Sequence, residues 1–310
     1  MEIKIKSLSV IIPCYNEEDV IESTINKIES IANRLQDNLK IISSCEIIVV
    51  NNGSTDETLK KSVQFVKKVK NYSVINLKKN YGYHASYCAG LFSAKNDMVI
   101  TLSADLAEDP NMMEELIKTH YKTNNCVLGV YKERKVSLIK DIFSNIYYFV
   151  LSLMNIKSLR KHADFRLLTR QDVKKIIQLQ EKYIFLRILI FQVIEKYEII
   201  YYSGQIRTKG KSKFSFLKSL LLAFDTIIYY SKINFKKFLF FLYKLLFFMV
   251  VIFLVNLYLF NFEFTNIFVF INFIVICFIF FIFLSTFFIQ RRFLLLTRDK
   301  HLFEVKEIIK

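Results

Sequence analysis

The chain has 310 residues, is 53% hydrophobic with 31 Phe and no Trp, and carries 44 Lys and Arg against 28 Asp and Glu, a formal charge of +16. That length accommodates one sizeable soluble domain and a smaller appendage, and so apolar a composition directs attention to membrane segments. The positive charge fits a solvated lysine-rich surface or attraction to anionic headgroups and phosphates; no recognition motif accompanies it, which argues against nucleic acid as a partner.

From the N-terminus, apolar strand-like runs alternate with amphipathic stretches: 8–12 then 20–31, 46–50 then 57–69, 72–77 then 84–94, and 98–102 then 111–121. The alternation predicts an α/β domain, a parallel sheet covered by helices. Ligands of such sheets sit beyond the carboxyl ends of the strands. Residues 215–231 read as a mostly apolar helix, interrupted by Lys218 and Asp225 and too short to span, suited to the membrane interface. Stretches 238–260 and 264–286 are each apolar over the roughly 20 residues that cross a bilayer core. Three residues between them, Asn261, Phe262 and Glu263, force a hairpin. Lys232, Lys236 and Lys237 before it and Arg291, Arg292 and Arg298 after it place both flanks on the cytoplasmic side. The expected organisation is therefore a catalytic domain at 1–214, a juxtamembrane interfacial helix at 215–235, two transmembrane helices within 236–290, and a cytoplasmic tail at 291–310.

The five cysteines are scattered with no close pair, suggesting neither a disulfide framework nor a zinc site and fitting a reducing compartment. Residues 1–7 are too brief for a signal peptide, so both termini and the catalytic domain are expected to be cytoplasmic.

Polar clusters follow the predicted strands. After the first comes Pro13-Cys14-Tyr15-Asn16-Glu17-Glu18; after the second, Asn51-Asn52-Gly53-Ser54-Thr55-Asp56, where glycine permits a positive φ and Ser54 to Asp56 can cap a helix. After the fourth, Ser103-Ala104-Asp105-Leu106-Ala107-Glu108-Asp109-Pro110 gathers carboxylates that suit a hard divalent cation on a diphosphate. Each cluster alone reads more readily as an ordinary turn or helix start.

The order PCYNEE, VNNGSTDET, KNYGYHASYCAG, SADLAEDP resembles the family 2 inverting glycosyltransferases of the GT-A fold, a Rossmann-like nucleotide-sugar-binding domain. With the C-terminal apolar pair it most resembles the polyisoprenyl-phosphate glycosyltransferases, the dolichol-phosphate mannose synthase and bactoprenol glucosyltransferase group. Further matches are DFRLLTR from Asp164, EKYIFLR ending at Arg187, and RTKGKSKF from Arg207. The resemblance implies a nucleotide-sugar donor, UDP-glucose favoured, and a polyprenyl phosphate acceptor met at the cytoplasmic membrane face among membrane lipids. Pro13, Tyr15, Glu17, Asn51 and Asn52 would line the nucleoside pocket, and Asn80 and Gly82 would close the donor side. Asp105 would hold the diphosphate and a divalent metal, Mg or Mn, with Glu108 or Asp109 as a second carboxylate. Asp164 would take a base or acceptor-side role. Arg207, Ser212 and Lys213 would hold the acceptor phosphate, while Arg166 and Arg170 fit either direct contact or a salt bridge beneath the site. Oligomeric state is open, a homotetramer being what relatives suggest.

The chain departs from the family pattern at Asn51 and Asn52, usually two aspartates, at Ser103, usually the first acid of the DxD motif, and at Ala107, commonly glutamine. Those departures motivate one rival, a catalytically silent membrane scaffold with this fold. The other rival, a processive polysaccharide synthase, needs a QxxRW signature that a chain without Trp lacks.

Overall fold

The structure is a computed structural model, and it describes residues 5–132, 138–179, 183–204, 216–231, 264–297 and 302–310, with isolated helical positions between 240 and 255. The chain divides into two compact units. One comprises Met1–Ser152, Lys157–Ser215 and Asp299–Lys310; the other comprises Leu153–Ile156 and Phe216–Arg298.

The first unit is built on a sheet whose centre is parallel: β3 (Tyr72–Leu77), β2 (Cys45–Asn51), β1 (Leu8–Cys14) and β4 (Met98–Thr101) lie in that order. Every residue of β1 is buried, Ser9 included, as expected for a strand covered on both faces. Helix α1 (Ile21–Asn33) buries Ile21, Ile25 and Ile28 on one side, the 3.6-residue repeat of an amphipathic helix. Helix α3 (Tyr83–Ser93) packs so closely on β1 that a Cβ on Gly90 would lie 2.3 Å from Cγ2 of Ile11. Helices α2 (Thr58–Val63) and α4 (Met113–Thr123) complete the βα units. The amphipathic stretch expected over 57–69 is helical only as far as Val63, its remainder continuing in turns.

Beyond this centre the sheet is mixed, correcting the expectation of a parallel one. Strand β6 (His162–Thr169) runs antiparallel to β4 and to β5 (Cys126–Tyr131), and β7 (Tyr197–Tyr202) runs parallel to β5 at that edge. The opposite edge is closed by β8 (Val305–Ile309), antiparallel to β3. The C-terminal segment, expected as part of a tail, therefore contributes a strand to the catalytic sheet. The miss has a simple cause: Val305, Lys306, Glu307, Ile308 and Ile309 form a short, largely exposed edge strand with no turn signal marking it. Three further helices belong to this unit: α5 (Leu138–Leu153, apart from its last residue), α6 (Arg170–Gln178) and α7 (Leu186–Val193).

The second unit holds α8 (Phe216–Tyr230) and α9 (Phe264–Thr297). The 34 residues of α9 give it a length of about 51 Å at the helical rise. It runs past the boundary expected near residue 286 and carries Arg291 and Arg292 as helical residues. By length and composition it holds the one segment among the described residues apolar enough to cross a membrane, Phe278–Thr297, with mean hydropathy 1.8. Arg291 forks onto Asp225 of α8, Nε to Oδ1 at 2.6 Å and Nη2 to Oδ2 at 2.7 Å. Such a planar two-bond pair fixes direction as well as distance, so Asp225 is a clasp between the two helices. The expected first span, 238–260, lies almost entirely outside the described residues.

Candidate active site

The loops that leave β1, β2, β3 and β4 gather at the carboxyl edge of the parallel centre. After β1 the chain turns sharply at Asn16, whose φ of 53° is the left-handed region that asparagine tolerates best among residues with a Cβ. The Asn16 N–H donates to Ser54 Oγ at 3.0 Å, and its Oδ1 accepts from Thr55 N at 2.8 Å. Glu17 N donates to Thr58 Oγ1 at 2.8 Å, and Glu57 N donates back to Glu18 Oε2 at 2.9 Å. Asp56 accepts from Thr58 through N and Oγ1 and from Glu18 N. Partial burial works against its charge, but those hydrogen bonds prevail and hold its carboxyl below the usual range. The Pro13-to-Glu18 and Asn51-to-Asp56 motifs are thus stitched into one ledge.

Asn52 ties this ledge to the loop after β3. Its Nδ2 donates to Asn80 Oδ1 at 3.1 Å and its Oδ1 accepts from Tyr81 N at 3.0 Å, while Gly82 N also donates to Asn80 Oδ1 at 2.9 Å. Gly53 is required here. Its φ is +67°, and a Cβ would sit 2.5 Å from the backbone carbon of Lys79.

After β4 the chain enters a tight turn holding Asp105. Leu106 has a φ of 48°, a strained value for leucine, and strain of this kind collects where geometry is functional. Around it, Leu106 N donates to Ser103 O at 3.2 Å, Thr24 Oγ1 of α1 donates to Ala104 O at 2.6 Å, and Ala107 N donates to Asp105 Oδ1 at 3.2 Å. Glu108 points inward: it is buried and accepts from both the N–H and the Oγ of Ser103, burial being the larger influence and raising its carboxyl above the usual range. Ser103, the departure from the first acid of DxD, is thus the partner of a buried glutamic side chain. Glu108 is so engaged with it that it is poorly placed to serve as a second metal ligand. Among the described residues no group of three or more His, Cys, Asp or Glu is placed to hold an ion. The donors present fit a cation that takes one protein carboxylate, Asp105, and completes its shell with diphosphate oxygens and water.

On β6, Asp164 is buried and paired twice, with Arg166 and with Arg187 of α7, whose Nη2 lies 2.7 Å and Nε 3.3 Å from its carboxylate. Burial opposes its ionisation, yet Arg187 and Arg166 outweigh burial and hold it far below the carboxylate range. Arg166 is only 1% exposed, and its Nε and Nη1 have no protein partner. His162 is buried beside it with both ring nitrogens unpartnered; burial, with Arg166 next, drives its pKa well down. His84 of α3 stands edge-on to Phe185 with ring centroids 4.8 Å apart, and burial lowers its pKa to about 4. Arg187 was absent from the expected site residues although its motif was noted. Its side chain is 35% exposed, against 1% for Arg166 and 3% for Asp164, which makes it the most accessible member of this triad.

Arg170 lies elsewhere: its Nη1 donates to Ala94 O and its N–H to Asp97 O at 2.9 Å, at the opposite end of β4 from Asp105. Arg166 and Arg170 are therefore structural here, the first in a buried ion pair and the second tying loops. Arg207, Ser212 and Lys213 lie outside the described residues.

Comparison with known proteins matches residues 9–176 to the family described as Glycosyl transferase family 2. The chain is 29% identical over 229 residues to the glycosyltransferase YkoT of Bacillus subtilis, covering 72% of this chain and 67% of that one. It is 28% identical over 226 residues to the undecaprenyl-phosphate 4-deoxy-4-formamido-L-arabinose transferase of Photorhabdus laumondii, covering 72% and 68%. The crystal structure of a mycobacterial protein superposes with a TM-score of 0.50 at 14% identity, covering 72% of this chain and 73% of that one, a likeness of fold. The mixed sheet is of the GT-A kind, and the chain belongs to glycosyl transferase family 2 and is a glycosyltransferase.

Proposed function

We propose that this glycosyltransferase moves a sugar, with inversion, from a nucleotide sugar to a polyprenyl phosphate at the cytoplasmic face of a membrane, UDP-glucose being the favoured donor. The observation that carries the reading is the ledge made by the loops after β1, β2 and β3 at the same sheet edge as Asp105, in a chain that also contains the apolar helix α9. Relatives named as undecaprenyl-phosphate transferases support the acceptor class.

On this reading Pro13, Tyr15 and Glu17 line the nucleoside pocket together with the Asn51-Asn52 turn, whose buried amides are engaged with Asn76, Ser54, Asn80 and Tyr81 and so shape the backbone there. Asn80 and Gly82 close the donor side, and Asp105 faces the diphosphate. A bound divalent cation would supply charge stabilisation to the departing nucleoside diphosphate. Arg187 presents its guanidinium from the Asp164 anchor, and Arg207, Ser212 and Lys213 receive the acceptor phosphate. A phosphate monoester with its second pKa near ~6 is already anionic at neutral pH, so the acceptor needs positioning more than deprotonation. Asp164, held by two arginines, suits the first task and not the second. The product is a β-linked glycosyl phosphate lipid when the donor is α-linked.

The acceptor's tail fixes where this chemistry occurs. Helix α8 is suited to the interface, and the apolar helix α9 supplies a membrane anchor on this reading. Exposed Ile142, Phe143, Ile146 and Phe149 form an apolar row on α5, an additional face for the acyl boundary. Four copies are the assembly the resemblance suggests. The test is a donor screen with purified protein in lipid nanodiscs containing undecaprenyl phosphate, using UDP-glucose, UDP-N-acetylglucosamine and GDP-mannose with Mg or Mn. One UDP-sugar is expected to label the lipid phase, and chelation with EDTA to stop it. Absence of lipid label with every donor sinks the reading.

A further inference from the structure

A chain of hydrogen bonds runs from the C-terminal strand into the loops just assigned to the donor. Glu307 is the cross-strand partner of Asn76 in the antiparallel pairing of β8 with β3, and Asn76 Nδ2 donates to Glu307 Oε1 at 2.8 Å. Asn76 Oδ1 accepts from Asn51 Nδ2 at 2.9 Å, Asn51 Oδ1 accepts from Ser54 N at 3.4 Å, and Ser54 Oγ accepts from Asn16 N at 3.0 Å. Asn76 and Asn51 are buried, whereas Glu307 is exposed.

The chain has a polarity, fixed at one end by the Glu307 carboxylate and at the other by the Ser54 N–H. A carboxylate only accepts, whereas an amide offers a donor on one side and an acceptor on the other. Glu307 therefore obliges Asn76 to turn its NH2 outward, which leaves the Asn76 oxygen facing β2. Asn51 must meet that oxygen with its own NH2, and its oxygen is left to hold the Ser54 N–H. Reversing either amide would bring like groups together in a buried place, where an unmatched donor or acceptor costs most.

We propose that Glu307 is a positioning residue for the donor nucleotide, its carboxylate orienting the buried Asn76–Asn51 pair that holds the Asn51-to-Ser54 turn and, through Ser54, the Asn16 loop. The inference rests on the reading of those two loops as the nucleotide site. It also gives position 51 a reason to be an amide: an aspartate there would face the Asn76 oxygen with a second acceptor.

The test is a polarity reversal in the full chain in nanodiscs, with UDP and GDP as calorimetric probes and steady-state kinetics alongside. Glu307→Lys turns the anchor into a donor, so Asn76 flips and its NH2 meets the Asn51 amide, which can no longer satisfy both neighbours. Asn51→Asp alone fails for the converse reason. Each is expected to weaken nucleoside diphosphate binding about tenfold, the scale of one hydrogen-bond mismatch. In the double variant every contact is again donor to acceptor, and affinity returns to within about threefold of wild type. Glu307→Gln, which can still accept through its oxygen, and the control Lys306→Ala bind as wild type does. Donor KM follows these affinities while kcat and acceptor KM stay constant. Should Lys at 307 lower the melting temperature by more than a few degrees, Glu307→Leu serves instead, with a severalfold loss expected. Wild-type affinity in the single variants, or no recovery in the double variant, overturns the relay while leaving the donor reading intact. Failure of the wild-type chain to bind UDP or GDP overturns both.

Discussion

Asp105→Ala is expected to reduce sugar transfer by about 10²-fold or more, the scale seen when one electrostatic stabiliser of a developing charge is removed, while the melting temperature stays near that of the wild type. The two readouts separate because the turn is framed mainly by other groups, the bond from Ala107 N to the Asp105 carboxylate being a long one at 3.2 Å. The Ser103 carbonyl receives Leu106 N, Thr24 secures Ala104, and Glu108 fastens Ser103 from within. Loss of the Asp105 carboxylate removes the candidate ligand for the diphosphate and its cation and the bond from Ala107 N, while those contacts remain. Radiolabel transfer and differential scanning fluorimetry on the same preparation check it, and full activity in Asp105→Ala would refute the site. Glu108→Gln serves as the contrast. Because this carboxyl is buried, is raised above the usual range by that burial, and accepts from Ser103 through N and Oγ, a role an amide oxygen can keep, the variant should retain most of its activity.

Asp164→Ala is expected to have the largest effect on stability, roughly 3–5 kcal/mol, because it strands the buried Arg166 guanidinium without its counter-ion. Asp164→Asn keeps a hydrogen-bond acceptor in the same volume and should cost less, and Arg187→Ala should cost less again, since Arg187 is the partly exposed partner and Arg166 still neutralises the carboxylate. Urea unfolding in detergent gives the order; equal midpoints for Asp164→Ala and wild type would show that the pair contributes nothing to stability. The pH sign follows from the lowered folded-state pKa. Asp164 titrates below its unfolded value of about 3.9, so its contribution is fully present above about pH 4 and is lost as pH falls further. Activity loss at pH 5 to 6 therefore has a different origin from this ion pair.

The parallel centre of the sheet was legible because its strands are buried on both faces and read as apolar runs, and the polar clusters after them marked the edge where the loops meet. What escaped had no such signal. Strand β8 is short, edge-placed and largely exposed, so its pairing with β3 is set by tertiary contact and not by pattern. Arg187 stood inside a recognised motif, but its role depends on reaching Asp164 from another element, 23 positions along the chain. The paired asparagines looked like a weakened nucleotide motif and acquire a physical reason only with their neighbours in view: Asn51 donates to Asn76 and Asn52 donates to Asn80, which aspartates could not do. Ser103 likewise is matched to Glu108. These departures from the family pattern are local rewirings whose partners lie on other strands or beyond the motif.

In the proposed reaction the acceptor is a phosphate carried on a polyprenyl chain, met at the membrane surface. This is tested most directly by giving the nanodisc-embedded protein a radiolabelled UDP-sugar with undecaprenyl phosphate or with undecaprenol, which differs only in lacking the phosphate. Label is expected in the organic phase with undecaprenyl phosphate alone, released by mild acid as a glycosyl phosphate should be. Equal labelling of undecaprenol, or label found only on a water-soluble acceptor, would contradict it.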